Sequence, residues 1–368
     1  MTDYDYLIVG SGFFGSVVAE QLKKQKRILV LEKREHIGGN CYSYYYEDTN
    51  ICVHKYGTHI FHTNSKEVWD YINRFSDFNR YQHQVLTTYH GKVYFMPINL
   101  STINSFYEKN LKPEEVDSFL EKKKGNIQQP KNLEEKAISL IGRDLYEAFI
   151  KGYTTKQWGC DPKELPPATI TRLPVRNNYF ISYFDDIYQG LPIDGYTPIF
   201  QKMLENVPLE LGVDFLGDRE YWLKKAKNVI YTGPIDRYFD YCYGKLRWRS
   251  LRFEIEKLEI DDYQGTSVMN YADLEVPYTR IHEPKHLHRE RKQKKGVTVI
   301  IREFPCDNDE EPYYPVNSEK DKELLLRYQN LQKKEKNVIF GGRLAEYKYY
   351  DMHQVIAAAL KVSRSLLN

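Results

Sequence analysis

Three glycines at the start of the chain offer chemistry by their spacing alone. Gly10-Ser11-Gly12-Phe13-Phe14-Gly15 satisfies G-x-G-x-x-G, and Glu32 stands at the end of the next apolar run. Each position has a physical task. Gly10 permits a tight turn, Gly12 lets backbone reach a pyrophosphate, and Gly15 lets a helix pack closely on a strand. The helix that opens there presents unpaired N–H donors to phosphate, and the Glu32 carboxylate can accept from ribose hydroxyls. Gly38-Gly39-Asn40 and Gly341-Gly342-Arg343 are two further places where backbone can approach a long ligand, and the Arg343 fork suits a pyrophosphate oxygen.

The elements needed to position these residues are legible around them. Tyr6-Leu7-Ile8-Val9 reads as a strand, a helix follows with Val17, Val18 and Leu22 on one face, and 27–32 reads as a second strand. Strand, helix and strand within about thirty residues form a parallel crossover. The runs 229–233 and 338–342 are short, apolar and end in glycine, as buried strands returning to the same sheet do. Asp351 caps a last helix that packs inward through Val355, Ile356, Ala359 and Leu360. Asn64-Ser65-Lys66-Glu67 and Asn132-Leu133-Glu134-Glu135 read as capping boxes. The second opens a helix with Leu133, Ala137, Ile141, Leu145 and Phe149 on one face.

The expected fold class is α/β: a Rossmann-like dinucleotide domain with an inserted helical bundle and an antiparallel β-sheet domain. The expected boundaries are 1–64, 212–245 and 336–368 for the dinucleotide domain. Residues 65–180 form the helical domain, interrupted by a short strand pair near 84–95. Residues 181–211 and 246–335 form the sheet domain, with strands at 246–255, 266–271 and 297–304. The basic stretch 282–296 lies between two of those strands and lacks interleaved aromatics, so a solvated hairpin is expected there.

Composition narrows the function. Lys plus Arg total 53 against 51 Asp plus Glu, so no global field draws in nucleic acid. No apolar run spans a bilayer and no basic, apolar leader is visible, so a cytoplasmic protein is expected. The five cysteines are scattered, without a CxxC pair, and read as free thiols. The 32 tyrosines supply rings for a core and for an aromatic-lined site.

Beyond the fingerprint, Gly38-Gly39-Asn40 and Gly342-Arg343 resemble the second glycine pair and closing flavin motif of FAD-binding proteins, which favours FAD over NAD. The segments HKYGTHIFHTN (54–64), IKGYTTKQWG (150–159), NVIYTGPIDRYFDY (228–241), VPYTRI (276–281), DEEPYYPVN (309–317) and VIFGGRLAEYKYYDMHQVIAAAL (338–360) resemble the UDP-galactopyranose mutase family almost end to end. That resemblance implies an isomerase interconverting UDP-galactopyranose and UDP-galactofuranose through a flavin N5–sugar adduct. It implies reduced FAD without net redox, an external reductant such as NAD(P)H, and a homodimer. The 2-acetamido sugar is a possible second substrate. The alternative is an FAD-dependent oxidoreductase of the amine-oxidase type.

The resemblance also assigns residues. Arg172, on a mobile loop, and Arg280 would clamp the diphosphate, with Tyr183, Tyr314 and Tyr349 donating to its oxygens. Tyr153, Thr154 and Trp158 would contact uridine and sugar, with Phe149 either beside them or in the helix core, and Asn270 as a further contact. His59 and His62 would stand by the flavin. The HxxH spacing lacks the further ligands a metal needs, so no metal is expected. Gly10, Gly12, Gly15, Glu32, Gly38, Gly39, Asn40, Gly342, Arg343 and Asp351 would hold the cofactor, Asp351 also as helix cap. Glu303 would be a buried carboxylate of the site.

Overall fold

The computed structural model describes residues 2–170, 175–307 and 311–368. Tyr4–Val9 leads into the helix Phe13–Leu22, and the chain returns as Ile28–Leu31, parallel to the first strand with Tyr6 opposite Ile28 and Val9 opposite Leu31. Ala226–Tyr231 pairs in parallel on the other side, with Val338–Phe340 beyond it. The apolar runs at 229 and 338 thus join the first sheet, as their composition predicts.

These strands are buried on both faces, and alternate residues serve different cores. Ile8, Val30 and Ile230 pack with Val17, Val18, Ile356 and Leu360 of the covering helices. Leu7, Leu29, Leu31 and Tyr231 pack on the opposite side with Phe215, Tyr238 and Phe340. The last helix, Met352–Leu367, lies against Phe13–Leu22 and buries Ile356, Ala359 and Leu360.

The second sheet has seven strands in the order Tyr314–Pro315, Trp248–Leu258, Thr298–Cys306, Arg280–His282, Val268–Tyr271, Val85–Tyr89 and Lys92–Met96. Its pairings are antiparallel except that of Val268–Tyr271 with Val85–Tyr89. One face is wet, as expected: Arg252, Glu254 and Glu256 are exposed, while Phe253 and Ile255 turn towards Val299 and Ile301.

The expected domain boundaries need correction in two places. The strand pair near 84–95 does not merely interrupt a helical unit; it completes the second sheet. The later part of the stretch 181–211, expected with the antiparallel sheet, packs on the dinucleotide unit, while Tyr183 packs against the helical core. Ile199, Phe200 and Met203 of the helix Thr197–Met203 bury into the core beside Phe13, and Leu209–Glu210 adds an edge strand next to Ile28–Leu31. Those three apolar residues stand at helical spacing and bury one face of a helix. Part of the basic stretch is also buried. His282, Glu283, Pro284, Leu287 and His288 pack inside, and the exposed residues begin at Arg289 and Glu290 and include Lys292, Lys294 and Lys295.

The helical unit has its own core, which includes Leu133, Ala137, Ile141, Leu145 and Phe149 as the stripe requires. Asn132 Oδ1 accepts the Glu135 amide at 2.9 Å. The other box is shifted by one residue. Ser65 caps Lys66–Ile72, its Oγ accepting from the Val68 amide, while Asn64 Oδ1 accepts the Ile187 amide at 2.9 Å. Tyr146–Lys151 widens into a π-helical turn before Gly152–Trp158. That last helix presses on the second sheet at Gly152, where an added Cβ would lie 2.1 Å from the Ala272 carbonyl oxygen.

Gly152→Ala therefore sets two effects against each other. Alanine adds about 1 kcal/mol of helix propensity, and overpacking against the Ala272 carbonyl costs about 1–3 kcal/mol. The expected result is a net loss of about 1 kcal/mol, seen as a lower urea midpoint with unchanged m. A midpoint above the parent's would mean the helix can back away from the sheet without cost.

Candidate active site

A cavity of about 520 Å³ opens at the carboxyl ends of the parallel strands, where open α/β sheets bind ligands. It is lined by every glycine of the fingerprint, by Gly38, Gly39 and Gly342, and by Glu32, Asn40 and Arg343. Bare backbone shapes it. A Cβ on Gly10, which has φ +101°, would stand 2.1 Å from Thr232 Oγ1, and one on Gly15 would stand 2.0 Å from the Gly10 oxygen. A Cβ on Gly39 would meet the Gly12 Cα at 3.2 Å, and the Gly38 amide donates to the Ser11 oxygen at 3.0 Å. The second glycine pair is thus docked on the first turn. The start of the helix Phe13–Leu22, whose first amides have no intrahelical acceptor, lines the cavity.

Glu32 is buried. Its Oε2 accepts from the Ser11 amide at 2.9 Å and the Ser11 hydroxyl at 2.7 Å, and its Oε1 accepts from the Arg34 amide at 2.9 Å. Lone pairs remain for a ribose hydroxyl. Arg34 donates to Asn40 Oδ1 at 3.0 Å and pairs with Glu311 at 2.9 Å. Arg343 lines the cavity as well. Its guanidinium donates to the carbonyls of Tyr350 (3.1 Å from Nε) and Tyr313 (3.2 Å), which ties the chain before the last helix and leaves further N–H donors over. The Asp351 amide donates to Gln354 Oε1 at 2.9 Å at the head of that helix. Its neighbours Tyr350 and Met352 line the cavity. A glycine-walled cavity, a helix start and a buried carboxylate at the far strand end fit a dinucleotide such as FAD.

The two histidines part company. His59 lines the cavity, its Nδ1 donating to the Gly57 oxygen at 2.7 Å. Burial pushes its imidazole down to about 4, against that carbonyl, so it is neutral at pH 7 with the lone pair on Nε2. His62 is outside the cavity lining. Its Nδ1 pairs with Asp186, and its ring stacks on Phe184 at 3.7 Å.

A second group of residues gathers on the antiparallel sheet. Arg280 stands opposite Asn270 on one side and Glu303 on the other. Its guanidinium donates to the Tyr153 hydroxyl and pairs with Glu303 Oε1 at 3.4 Å. His282, two residues on and so on the same strand face, donates from Nε2 to Glu303 Oε2 at 3.0 Å. Burial alone would push the Glu303 carboxyl up; Arg280 and His282 outweigh it and bring it below its usual value. Burial likewise opposes the charge on Arg280, and Glu303 overcomes it. Burial pushes the Tyr153 phenol up to about 12 and that of Tyr314 well above its usual value, so both stay O–H donors. Tyr314 lies within electrostatic reach of Arg280 and stacks on Tyr349 with centroids 5.3 Å apart. Tyr183 is close enough to Tyr153 to influence its ionisation.

Asn270 Oδ1 is buried without a hydrogen-bond partner among the described residues. Thr154 is buried and Trp158 half-buried against the helical core. Phe149 belongs to that core: it is 3% exposed and edge-on to Tyr94 at 5.0 Å and Phe106 at 5.4 Å. Of its two readings the structure takes the helix core. Arg172 falls outside the described residues.

Sequence reasoning named Glu303 but missed His282 beside it. The i, i+2 relation to Arg280 was the available signal. It also missed Cys52, His54 and His288, three buried side chains whose ligand atoms lie within 4.8 Å of one another. His54 Nδ1 accepts the His59 amide at 3.1 Å, so Nε2 carries the proton. A cation there would have to displace that proton and break the bond.

A family model described as UDP-galactopyranose mutase matches residues 148–349, and one described as an NAD(P)-binding Rossmann-like domain matches residues 8–75. The chain is 41% identical to a protein named probable UDP-galactopyranose mutase from Klebsiella pneumoniae, covering 100% of this chain and 96% of that protein. It is 40% identical to a dTDP-fucopyranose mutase from Escherichia coli, covering 97% of each. Its fold is similar to a crystal structure of reduced UDP-galactopyranose mutase, with a TM-score of 0.75 and 14% identity over 100% of this chain and 94% of the other.

Glu303→Gln removes the charge that holds Arg280 and His282. Breaking a buried pair on one side costs about 3 kcal/mol, expected as a loss of unfolding free energy at pH 7. Because the Glu303 carboxyl is held below its usual 4.5, its contribution is complete above that pH and is lost as pH falls through the lowered value. The gap between variant and parent should therefore narrow in acid below 4.5. A gap independent of pH would show that the charge is not what stabilises the cluster.

Proposed function

Because the chain belongs to the flavin-dependent UDP-galactopyranose mutase family, we propose that it interconverts UDP-galactopyranose and UDP-galactofuranose. The observation that carries this reading is the Arg280–Tyr153 pair held on the buried Glu303, with Tyr314 beside it, in a chain whose other sheet holds the dinucleotide cavity. The full-length match to mutases sets aside the amine-oxidase alternative.

Gly12, Gly15, Gly39 and the start of the first helix would receive the FAD pyrophosphate, and Glu32 its ribose. When bound and reduced, the flavin supplies a nucleophilic nitrogen for the anomeric carbon with no net redox. The chain's own residues then have separate tasks. Arg280 binds the diphosphate and keeps its charge as UDP leaves, because Glu303 favours the cationic form and fixes its direction. The Tyr153 and Tyr314 phenols stay protonated and donate to phosphate oxygen, joined by Tyr349 and Tyr183. His59, neutral and tied to Gly57, offers an acceptor and no acid. The unpartnered Asn270 Oδ1 accepts from a substrate hydroxyl or base N–H. Thr154 and Trp158 contact uridine and sugar, and Arg172 adds a second cation on the diphosphate. An external reductant such as NAD(P)H, a homodimer and a cytoplasmic location complete the proposal.

Purified protein given UDP-galactofuranose should form UDP-galactopyranose with dithionite present and lose that activity in air. Arg280→Lys loses the fork but keeps a charge. Losing one charge-assisted hydrogen bond costs about 2 kcal/mol, or roughly thirtyfold in kcat/KM. The same assay with dTDP-fucofuranose tests the chemistry named for the Escherichia coli relative. Turnover of that sugar alone would move the assignment to the thymidine series, and turnover of neither, with reduced flavin bound, would overturn it.

A further inference from the structure

One side chain beside this cluster has no task in the chemistry above. Lys156 lies one turn beyond Tyr153 on the helix Gly152–Trp158. Its three N–H groups, one of them shared, serve four backbone carbonyls: Tyr271 at 2.8 Å, Asp273 at 2.8 Å, Val276 at 3.0 Å and Tyr278 at 3.0 Å. Tyr271 closes the strand Val268–Tyr271, and the other three belong to its connection to the strand Arg280–His282. The loop is wrapped round the ammonium.

That geometry suits lysine. An ammonium is a compact charge with three donors that can be approached from several sides, whereas a guanidinium donates only in its plane. Four carbonyl dipoles converging on one cation offset part of its lost hydration. Burial still lowers its pKa, to about 8, with Asp273 and Glu275 of the same loop working the other way. Methionine in its place would leave four inward carbonyls without their shared partner.

The loop's two ends carry substrate-facing residues. Asn270 enters it and Arg280 leaves it, directly opposite each other in the register. The helix that supplies Lys156 also supplies Tyr153, whose hydroxyl accepts from Arg280. Two further contacts hold the helix to the sheet. Gly152 abuts the Ala272 carbonyl, and Arg249 donates from Nε to the Gln157 oxygen at 3.0 Å. Lys156 is the one of these contacts that grips the loop between Asn270 and Arg280 along most of its length.

We propose that Lys156 is a positioning residue for the reaction: it shapes the 271–279 loop around its ammonium and so fixes Arg280 and Asn270 relative to Tyr153. This rests on reading Arg280 as a contact to the substrate diphosphate. A lysine that served stability alone would affect melting and flavin retention but would not couple to Arg280.

The test uses the full-length, FAD-loaded protein with UDP as the binding probe and UDP-galactofuranose as substrate. Lys156→Met is expected to keep the flavin spectrum, because the cofactor cavity lies on the other sheet. It should raise the Kd for UDP and the KM about tenfold, the scale of one charge-assisted contact misplaced, with a smaller change in kcat. In the double variant with Arg280→Lys the losses should fall short of multiplying, since both act on one contact. Should Lys156→Met fail to hold flavin, Lys156→Arg keeps the charge but satisfies fewer carbonyls, and about a threefold rise in Kd with the same coupling is expected. An unchanged Kd in the Lys156 variant, or losses that multiply independently, would overturn the inference while the reading of Arg280 stands. An unchanged Kd in Arg280→Lys would overturn that reading and the inference together.

Discussion

Backbone must approach backbone with no side chain between them, and the dinucleotide cavity depends on that contact. Gly12 and Gly39 meet where a single Cβ would nearly touch a neighbouring Cα, and Gly15 meets the Gly10 carbonyl in the same way. The parallel sheet makes the meeting possible. Gly10, Glu32, Thr232 and Gly341 each follow the last residue of a parallel strand, so four chain segments end on one edge. Apolar burial holds the strands in register, and the glycines leave room above their ends. A larger residue at Gly15 would push the helix off the strand, its Cβ lying 2.0 Å from the Gly10 oxygen and 3.1 Å from Ile8 Cγ2.

The second centre depends on electrostatics rather than on empty space. Glu303 and His282 are buried, and Arg280 is partly so. Such charges are tolerated only as a set, because the penalty for removing each from water exceeds what one exposed pair returns. Antiparallel register supplies the set by placing Arg280 between Asn270 and Glu303. Glu303 keeps the Arg280 cation in place, while burial keeps the neighbouring Tyr153 and Tyr314 phenols protonated. Tyr153 and Lys156 couple this sheet to the helical unit, so three layers meet around one guanidinium.

Much of this was legible before any coordinates. The period-2 and period-3.6 patterns located the crossover, the returning strands and the last helix, since burial of an apolar face is a local property of the sequence. The spacing of Gly10, Gly12, Gly15 and Glu32 carried the cavity with it. Where reading failed, long-range pairing decided. Residues 181–211 look like loop and short strand, yet Ile199, Phe200 and Met203 find a core beside Phe13. The basic stretch reads as surface until His282 and His288 are seen inside.

What the sequence determined by itself is therefore the set of elements and the glycine-walled site, because both follow from residue size and from neighbours a few positions apart. Only the tertiary structure decided which polar residues share a centre. His59 and His62 are three apart and diverge, whereas Arg280, Tyr153, Glu303 and Lys156 are far apart in the chain and converge. Arg343, whose fork suits a phosphate, lines the cavity and is held there by the carbonyls of Tyr313 and Tyr350. Hydrogen bonds and ion pairs act over a few ångströms, and strand register and helix docking set those distances.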